Sequence, residues 1–483
     1  MNQEQIIDEK VSDARFLHGV AKRGWLWGGL DQVVQRGLGM VVSLLLARLL
    51  EPSAFGLIAS VSIFLAVIQQ LIDGGLGQRL LQKPVIHDSD YAAFFWCNMA
   101  VTLVTALSLM MFAGHIARFF DSPELRPIVV ALSIVVILYN SGRLQGIKLI
   151  REMRFRTTSI VTMVAVVVGC VVGVGMALAN FGVWALVGQQ IAMASARTLG
   201  FWVMAPWRPR TLAKWVDIKD LYGYGLPILF SELTRTISSQ LINVLVAKRI
   251  SAEALGFYDR GRVIPHNIGL SVNRIFTAIN FPVLSRLQDD REGFYQVYVR
   301  LLGISSTALF MLMAGLAVAA QDLIQIVLGE QWMPSAWFLQ VSCIAYIFYI
   351  IFVINGQALR ACGHTGVYFR CNMIMVSLVV TGVLAGMPWG TRGMVLGDMI
   401  ARGFACIPIM HAVGRVSLIS ILDQLRSMWR SMWWGGLVLS VLMAIRMLDL
   451  SLYVRFGFSA LAGMAIFVGF AHLRKKDLAF NGE

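Results

Sequence analysis

Charge is what this sequence has least of. Only 14% of its 483 residues are Asp, Glu, Lys or Arg, against 57% hydrophobic, and the mean hydropathy is +0.70. So little polar side-chain surface excludes an ordinary soluble globular protein, and the apolar runs reach the roughly 20 residues that a helix needs to cross a bilayer. Cysteine is sparse too. The six (Cys97, Cys170, Cys343, Cys362, Cys371, Cys406) lie in or beside apolar segments without CxxC or Cys/His spacing, so neither a disulfide framework nor a metal site is expected. No GxxxxGK(S/T) phosphate loop occurs, which disfavours direct ATP hydrolysis. The opening MNQEQIIDEKVSDARF is acidic and polar where a signal peptide is basic and then apolar, so no cleaved leader is expected. A formal charge of +14 would suggest nucleic acid in a soluble protein. In a membrane protein, cytoplasmic loops and anionic head groups account for most of it, so the expected partners include membrane lipids and no nucleic acid.

What is there is a series of spanning runs. Breaks at charges, Pro and Gly give spans near 25–49, 55–78, 91–114, 125–147, 157–179 and 182–205, then a basic linker WRPRTLAKWVDIK at 207–219. A second six follows near 221–247, 254–284, 294–319, 333–359, 367–387 and 391–413, and two more near 431–448 and 452–473, after a loop holding Arg415, Asp423, Arg426 and Arg430. The expected fold is all-α: a polytopic membrane protein of about fourteen helices, with lobes at 1–206 and 207–414 and a helix pair with a tail at 415–483. The two sixes read as copies in one orientation. A shift of 200 lays VSLLLARLLEPSAFGL (42–57) over INVLVAKRISAEALGF (242–257), and a shift of 214 pairs Gly142 with Gly356 and Phe155 with Phe369. Alternate loops hold 25 Lys and Arg on the side of the termini and 8 on the other, which places both termini in the cytoplasm.

Eight arginines remain inside spans: Arg36, Arg143, Arg197, Arg235, Arg260, Arg262, Arg274 and Arg402. A charge at the bilayer centre costs about 2.5–3.5 kcal/mol even on a lenient scale, so such groups face protein or water. Some have a partner within reach on the same helix, as Glu232 with Arg235, Asp259 with Arg262 and Asp398 with Arg402, at i,i+3 or i,i+4. Others fall in stripes. On the first span Asp31, Gln32, Gln35 and Arg36 make one wet face; on the eighth, Arg260, Asn267, Ser271 and Arg274 run along one side, and Arg262, His266, Asn273 and Asn280 along another. Lipid cannot solvate that many polar groups, so these helices are expected to line a hydrated cavity. Its arginines suit phosphate or pyrophosphate, and its amides and hydroxyls suit sugar. The candidate substrate residues are Arg36, Arg235, Arg260, Arg262, Asn267, Asn273 and Arg274, and the candidates for coupling to an H+ or Na+ gradient are Asp31, Glu232 and Asp398.

The stretches ARLLEPSAFGLIA (47–59), DGGLGQRLLQK (73–83), FGVWALVGQQ (181–190) and above all LGFYDRGRVIPHNIGLSVNRIFTAINFPVLSRLQDD (255–290) resemble the Wzx-type polysaccharide flippases. The resemblance is to the colanic-acid-exporter-like branch of the multidrug/oligosaccharidyl-lipid/polysaccharide exporter superfamily. It implies a V-shaped pair of six-helix bundles and alternating access for an undecaprenyl-pyrophosphate-linked oligosaccharide, with no cofactor beyond an ion gradient and with polysaccharide polymerase and export machinery as partners. It also implies the bacterial inner membrane and a transporter rather than an enzyme. The related murein-precursor flippase carries cavity arginines on its first, second and eighth helices. Here Arg36 and the eighth-span arginines match, whereas the second span has only Arg79, near its end. Two rivals remain. A drug or cation antiporter of the same superfamily would carry more cavity acids than arginines, and a polysaccharide polymerase or ligase would carry a long external loop.

Overall fold

The computed structural model describes residues 37–74, 77, 80, 86–205, 207–209, 229, 233, 236, 240, 242–288, 290–417, 419–448 and 450–473. These divide into two compact units, Met1–Lys248 and Arg249–Glu483. After a short apolar helix, Gly37–Leu49, the first holds α1 (Pro52–Asp73), α2 (Asp88–Phe119), α3 (Leu125–Ser141), α4 (Arg143–Arg151), α5 (Phe155–Leu178) and α6 (Val183–Met204). The second holds α7 (Ala252–Arg286), α8 (Arg291–Val318), the short α9 (Ala320–Val327), α10 (Pro334–Ala361), α11 (Thr365–Gly386), α12 (Gly390–Ser417), α13 (Ile421–Arg446) and α14 (Leu452–Leu473). No strand occurs among the described residues. Nine stretches among them are long and apolar enough to cross a membrane. The chain is thus an all-α polytopic membrane protein, as its sequence implies.

The helix ends follow from local chemistry. The Ser251 hydroxyl accepts the Ala254 amide at 3.0 Å to start α7, and the Asp290 carboxylate accepts the Gly293 amide at 3.1 Å to start α8. A reciprocal capping box joins Ser420 and Asp423. That box corrects one reading: 421–430 is not loop but the opening turns of α13. The fourth span is also two helices rather than one, broken at Gly142 between α3 and α4.

Within the first unit α5 pairs with α6, and α3 packs on α2 and α6; within the second α11 pairs with α12, and α10 packs on α8 and α12. The copies share fine detail. Glu51 and Ser251 both stand at N-caps, 200 residues apart. In the turn after α4 the Arg154 amide donates to the Leu149 carbonyl, and in the turn after α10 the His364 amide donates to the Leu359 carbonyl, each at 2.9 Å. Met153 and Gly363 take the left-handed conformation there, with φ 54° and 78°. Gly182, before α6, and Gly390, the first residue of α12, have positive φ. The structural register in this half of the repeat is therefore 208–210. The shift of 214 that pairs Phe155 with Phe369 misses it by one helical turn, because Phe155 opens α5 whereas Phe369 lies in the second turn of α11.

The α11–α12 hairpin brings backbone onto backbone. Gly382 and Gly386 of α11 face Gly397 and Gly393 of α12, and a Cβ added at Gly382 would stand 2.5 Å from the Gly397 carbonyl oxygen. Small residues four apart on both helices allow this approach, which membrane helices use in place of hydrophobic driving force. Elsewhere in this unit buried side chains tie the helices. The Tyr298 hydroxyl of α8 lies 2.9 Å from Asn355 Oδ1 of α10 and 3.2 Å from Gln424 Oε1 of α13, and Gln424 Nε2 donates to the Met410 carbonyl of α12 at 3.0 Å.

Contacts between loops respect the alternation read from charge. Lys248 pairs with Asp121 at 2.8 Å and Arg455 with Asp322 at 2.5 Å, each joining loops of the Lys/Arg-poor set. Arg151 donates to the Leu80 carbonyl at 2.7 Å, joining two of the Lys/Arg-rich set.

Candidate functional site

The eighth span, α7, is 35 residues long yet absent from the apolar set, because it carries Asp259, Arg260, Arg262, His266 and Arg274. Its two polar faces have different fates. The face with Arg262, His266 and Asn273 packs on α10: His266 Nδ1 bonds the Tyr346 hydroxyl, Asn273 Nδ2 donates to the Tyr349 hydroxyl at 3.4 Å, and Thr277 Oγ1 donates to Asn273 Oδ1 at 3.1 Å. Gln357 Nε2 continues the chain by donating to Thr277 Oγ1 at 2.6 Å. Asn280, at the end of this face, is fully buried. Arg262, His266, Asn273 and Thr277 on this face are half-buried and meet protein partners, whereas the Asn280 amide is buried without a partner among the described residues. The other face differs: Arg260 and Asn267 are half-buried, and Ser271 and Arg274 are exposed, so it is the Arg274 end of this stripe that is open.

The pairing of charges also differs in part from expectation. Asp398 and Arg402 do form the i,i+4 pair, Nε donating at 2.9 and 3.0 Å to the two carboxylate oxygens. Asp259 does not pair with Arg262. Its carboxylate takes Arg260 Nη2 at 2.7 Å, with both side chains less than one-fifth exposed. Arg262 turns to Tyr258, its Nη1 donating to the hydroxyl at 3.4 Å and its guanidinium 5.4 Å from the ring centre. Tyr258 and Tyr346 feel the charges of both Arg262 and Arg402, so α7, α10 and α12 build one cluster. Among the described residues it holds three guanidiniums and two carboxylates. The chemistry of such a cluster suits an anion or a polar head group, through charge and through tyrosine and amide hydrogen bonds.

Arg36, Arg235, Asp31 and Glu232 lie outside the described residues. Sequence reasoning passed over Tyr258, Tyr346, Tyr349, Thr277 and Gln357. The signal for Tyr346 and Tyr349 was their i,i+3 spacing on α10, but their partners on α7 lie 80 and 76 residues away.

A bundle of spanning helices with hydrogen-bonded arginines and tyrosines inside it defines a polytopic membrane protein with a polar interior. More particularly, residues 45–337 match the family described as Polysaccharide biosynthesis protein, and the chain belongs to that family. It is 22% identical over 384 residues to the lipopolysaccharide biosynthesis protein WzxC of Escherichia coli (strain K12), a match covering 78% of each chain. It is 26% identical over 314 residues to the succinoglycan biosynthesis transport protein ExoT of Rhizobium meliloti (strain 1021), covering 64% of this chain and 63% of that one. In fold it resembles the lipid II flippase MurJ in an inward closed conformation, with a TM-score of 0.69 at 13% identity over 93% of this chain and 99% of that one.

Proposed function

We infer that this protein is a flippase that carries an undecaprenyl-pyrophosphate-linked oligosaccharide from the cytoplasmic to the periplasmic leaflet of a bacterial inner membrane, for polysaccharide export. The observation that carries the reading is the excess of arginine over acid on α7 and its neighbours among the described residues, inside a membrane protein of a polysaccharide biosynthesis family. Guanidinium binds diphosphate bidentately, and the tyrosine and amide groups of α7 and α10 offer hydrogen bonds of the kind sugars accept. The names of the relatives, a lipopolysaccharide biosynthesis protein and a succinoglycan transport protein, and the fold shared with a lipid II flippase agree with a lipid-linked saccharide as cargo. Translocation breaks no covalent bond in this reading, so the protein is a transporter and not an enzyme. Both termini are cytoplasmic by the distribution of Lys and Arg, and the cycle is alternating access coupled to an H+ or Na+ gradient, with Asp31, Glu232 and Asp398 as candidate coupling groups. The lobes 1–206 and 207–414 are its two moving halves, and the polymerase and export machinery consume its product.

The test is polymer export in a strain lacking the gene, together with the sidedness of its lipid-linked repeat unit. Accumulation of that unit on the cytoplasmic face is expected. Normal translocation with the polymer still missing would refute the reading in favour of a polymerase or ligase.

A further inference from the structure

Arg197, on α6 in the first unit, is charged, half-buried and unmatched. Its guanidinium carbon stands 4.2 Å from the centre of the Tyr139 ring and 5.3 Å from that of Phe201. It makes no ion pair or hydrogen bond among the described residues, and its Nε is buried without a partner. A guanidinium has five N–H donors, and leaving them unmet inside a membrane span is costly. The acid at hand, Asp73 of α1, is already taken: it pairs with Arg143 and accepts Gln69 Nε2 at 2.7 Å. Arg143 and Arg197 lie near enough to repel one another, so among the described residues the group carries one uncompensated positive charge.

The break between α3 and α4 fixes this arrangement. Thr198, next to Arg197, donates to the Leu138 carbonyl at 2.5 Å, and Trp202 Nε1 donates to the Ser141 carbonyl at 3.0 Å. A Cβ at Gly142 would meet the Thr198 Cα at 3.1 Å, so α6 crosses tightly at the break, with Arg143 immediately after it. The repeat does not require these charges. In the registers set by the matching caps and turns, Asp73, Arg143 and Arg197 correspond to Asn273, Val353 and Ala405. Tyr139 alone has a like counterpart, Tyr349. Charges that one copy of the scaffold dispenses with are not there to hold the scaffold.

We propose that Arg197, stacked on Tyr139 and joined by Arg143, is an anion-binding site of the first unit that takes the phosphate of a lipid head group. A guanidinium lying on a ring keeps its N–H edge free for a bidentate phosphate, and Arg143 adds charge from beside it. That the anion is a lipid phosphate rests on the flippase reading; that an anion binds does not.

The test uses the full chain in phosphatidylcholine nanodiscs, titrated with inorganic pyrophosphate and, separately, with undecaprenyl phosphate. Arg197→Gln removes one bound equivalent or weakens it about tenfold or more, as expected for lost charge-assisted hydrogen bonds. Arg197→Lys, which keeps the charge but not the fork, falls between, and exposed Arg118→Gln binds as the wild type does. Phenylglyoxal labelling of the unmutated protein needs no variant to fold: pyrophosphate should protect Arg197 from modification. Unchanged binding by Arg197→Gln, or equal labelling with and without pyrophosphate, overturns the site. Protection by pyrophosphate but none by undecaprenyl phosphate overturns the lipid assignment. Protection by both, in a protein whose deletion leaves the repeat unit normally translocated, supports the site and refutes the flippase reading alone.

Discussion

Replacing Gly382 by alanine tests whether backbone contact holds the α11–α12 hairpin. The new methyl carbon would stand 2.5 Å from the Gly397 carbonyl oxygen and 3.0 Å from the Ala401 Cβ, where ordinary contact begins at 3.4 Å. No flexible side-chain tip can yield at the carbonyl, so the two helices must part by roughly 1 Å, losing dispersion contacts along the seam. Overpacking of this kind costs about 1–3 kcal/mol, against which alanine regains up to about 1 kcal/mol of helix propensity. The net expectation is a loss of about 1–2 kcal/mol, read as a lower midpoint in thermal unfolding of the detergent-purified protein followed by tryptophan fluorescence. Gly175→Ala on α5 is the control, since its Cβ would meet nothing within 4 Å, and there the propensity gain stands alone. If Gly382→Ala melts at or above the wild type, as Gly175→Ala should, the seam does not hold the hairpin and the reasoning fails.

Tyr298→Phe leaves two buried amide oxygens, on Asn355 and Gln424, without their shared hydroxyl, and should destabilise by about 1–3 kcal/mol in the same melt. An unchanged midpoint would show that the network contributes nothing. Asp398→Ala strands the Arg402 guanidinium and should cost about 3 kcal/mol, most of which the double change with Arg402→Leu restores. Recovery of export in the restored double variant would reduce Asp398 to a structural partner. Arg274→Ala and Arg36→Ala should each abolish polymer export while the protein still inserts and purifies at normal yield, and normal export by both would remove the cationic-cavity mechanism.

The membrane class and most helix limits were legible because they depend on long local patterns: apolar runs, caps, and the Pro and Gly between them. The pair of Asp398 and Arg402 was legible for the same reason, since i,i+4 neighbours meet on any straight helix. Asp259 offered two choices within one turn, and spacing could not decide between Arg260 and Arg262. That choice depended on Tyr258 giving Arg262 a ring and a hydroxyl to turn to. On the second polar face of α7 the tyrosines that meet His266 and Asn273 were not legible, because they stand on α10, far along the chain. Gly382, Gly386, Gly393 and Gly397 show four-residue spacing in the sequence, but their facing one another is a property of the folded hairpin.

Two helices in contact along their backbones behave as one mechanical part. Sliding α12 past α11 would drive carbonyl groups through alpha carbons, so the hairpin translates and tilts as a plank, and the Asp398–Arg402 pair travels with it as fixed freight. Bending is left to the stretch beyond the seam, where Pro408 interrupts the hydrogen-bond ladder of α12. Any stroke of this hairpin must therefore flex on the Pro408 side of its charges, with the glycine end as the stiff arm of the lever.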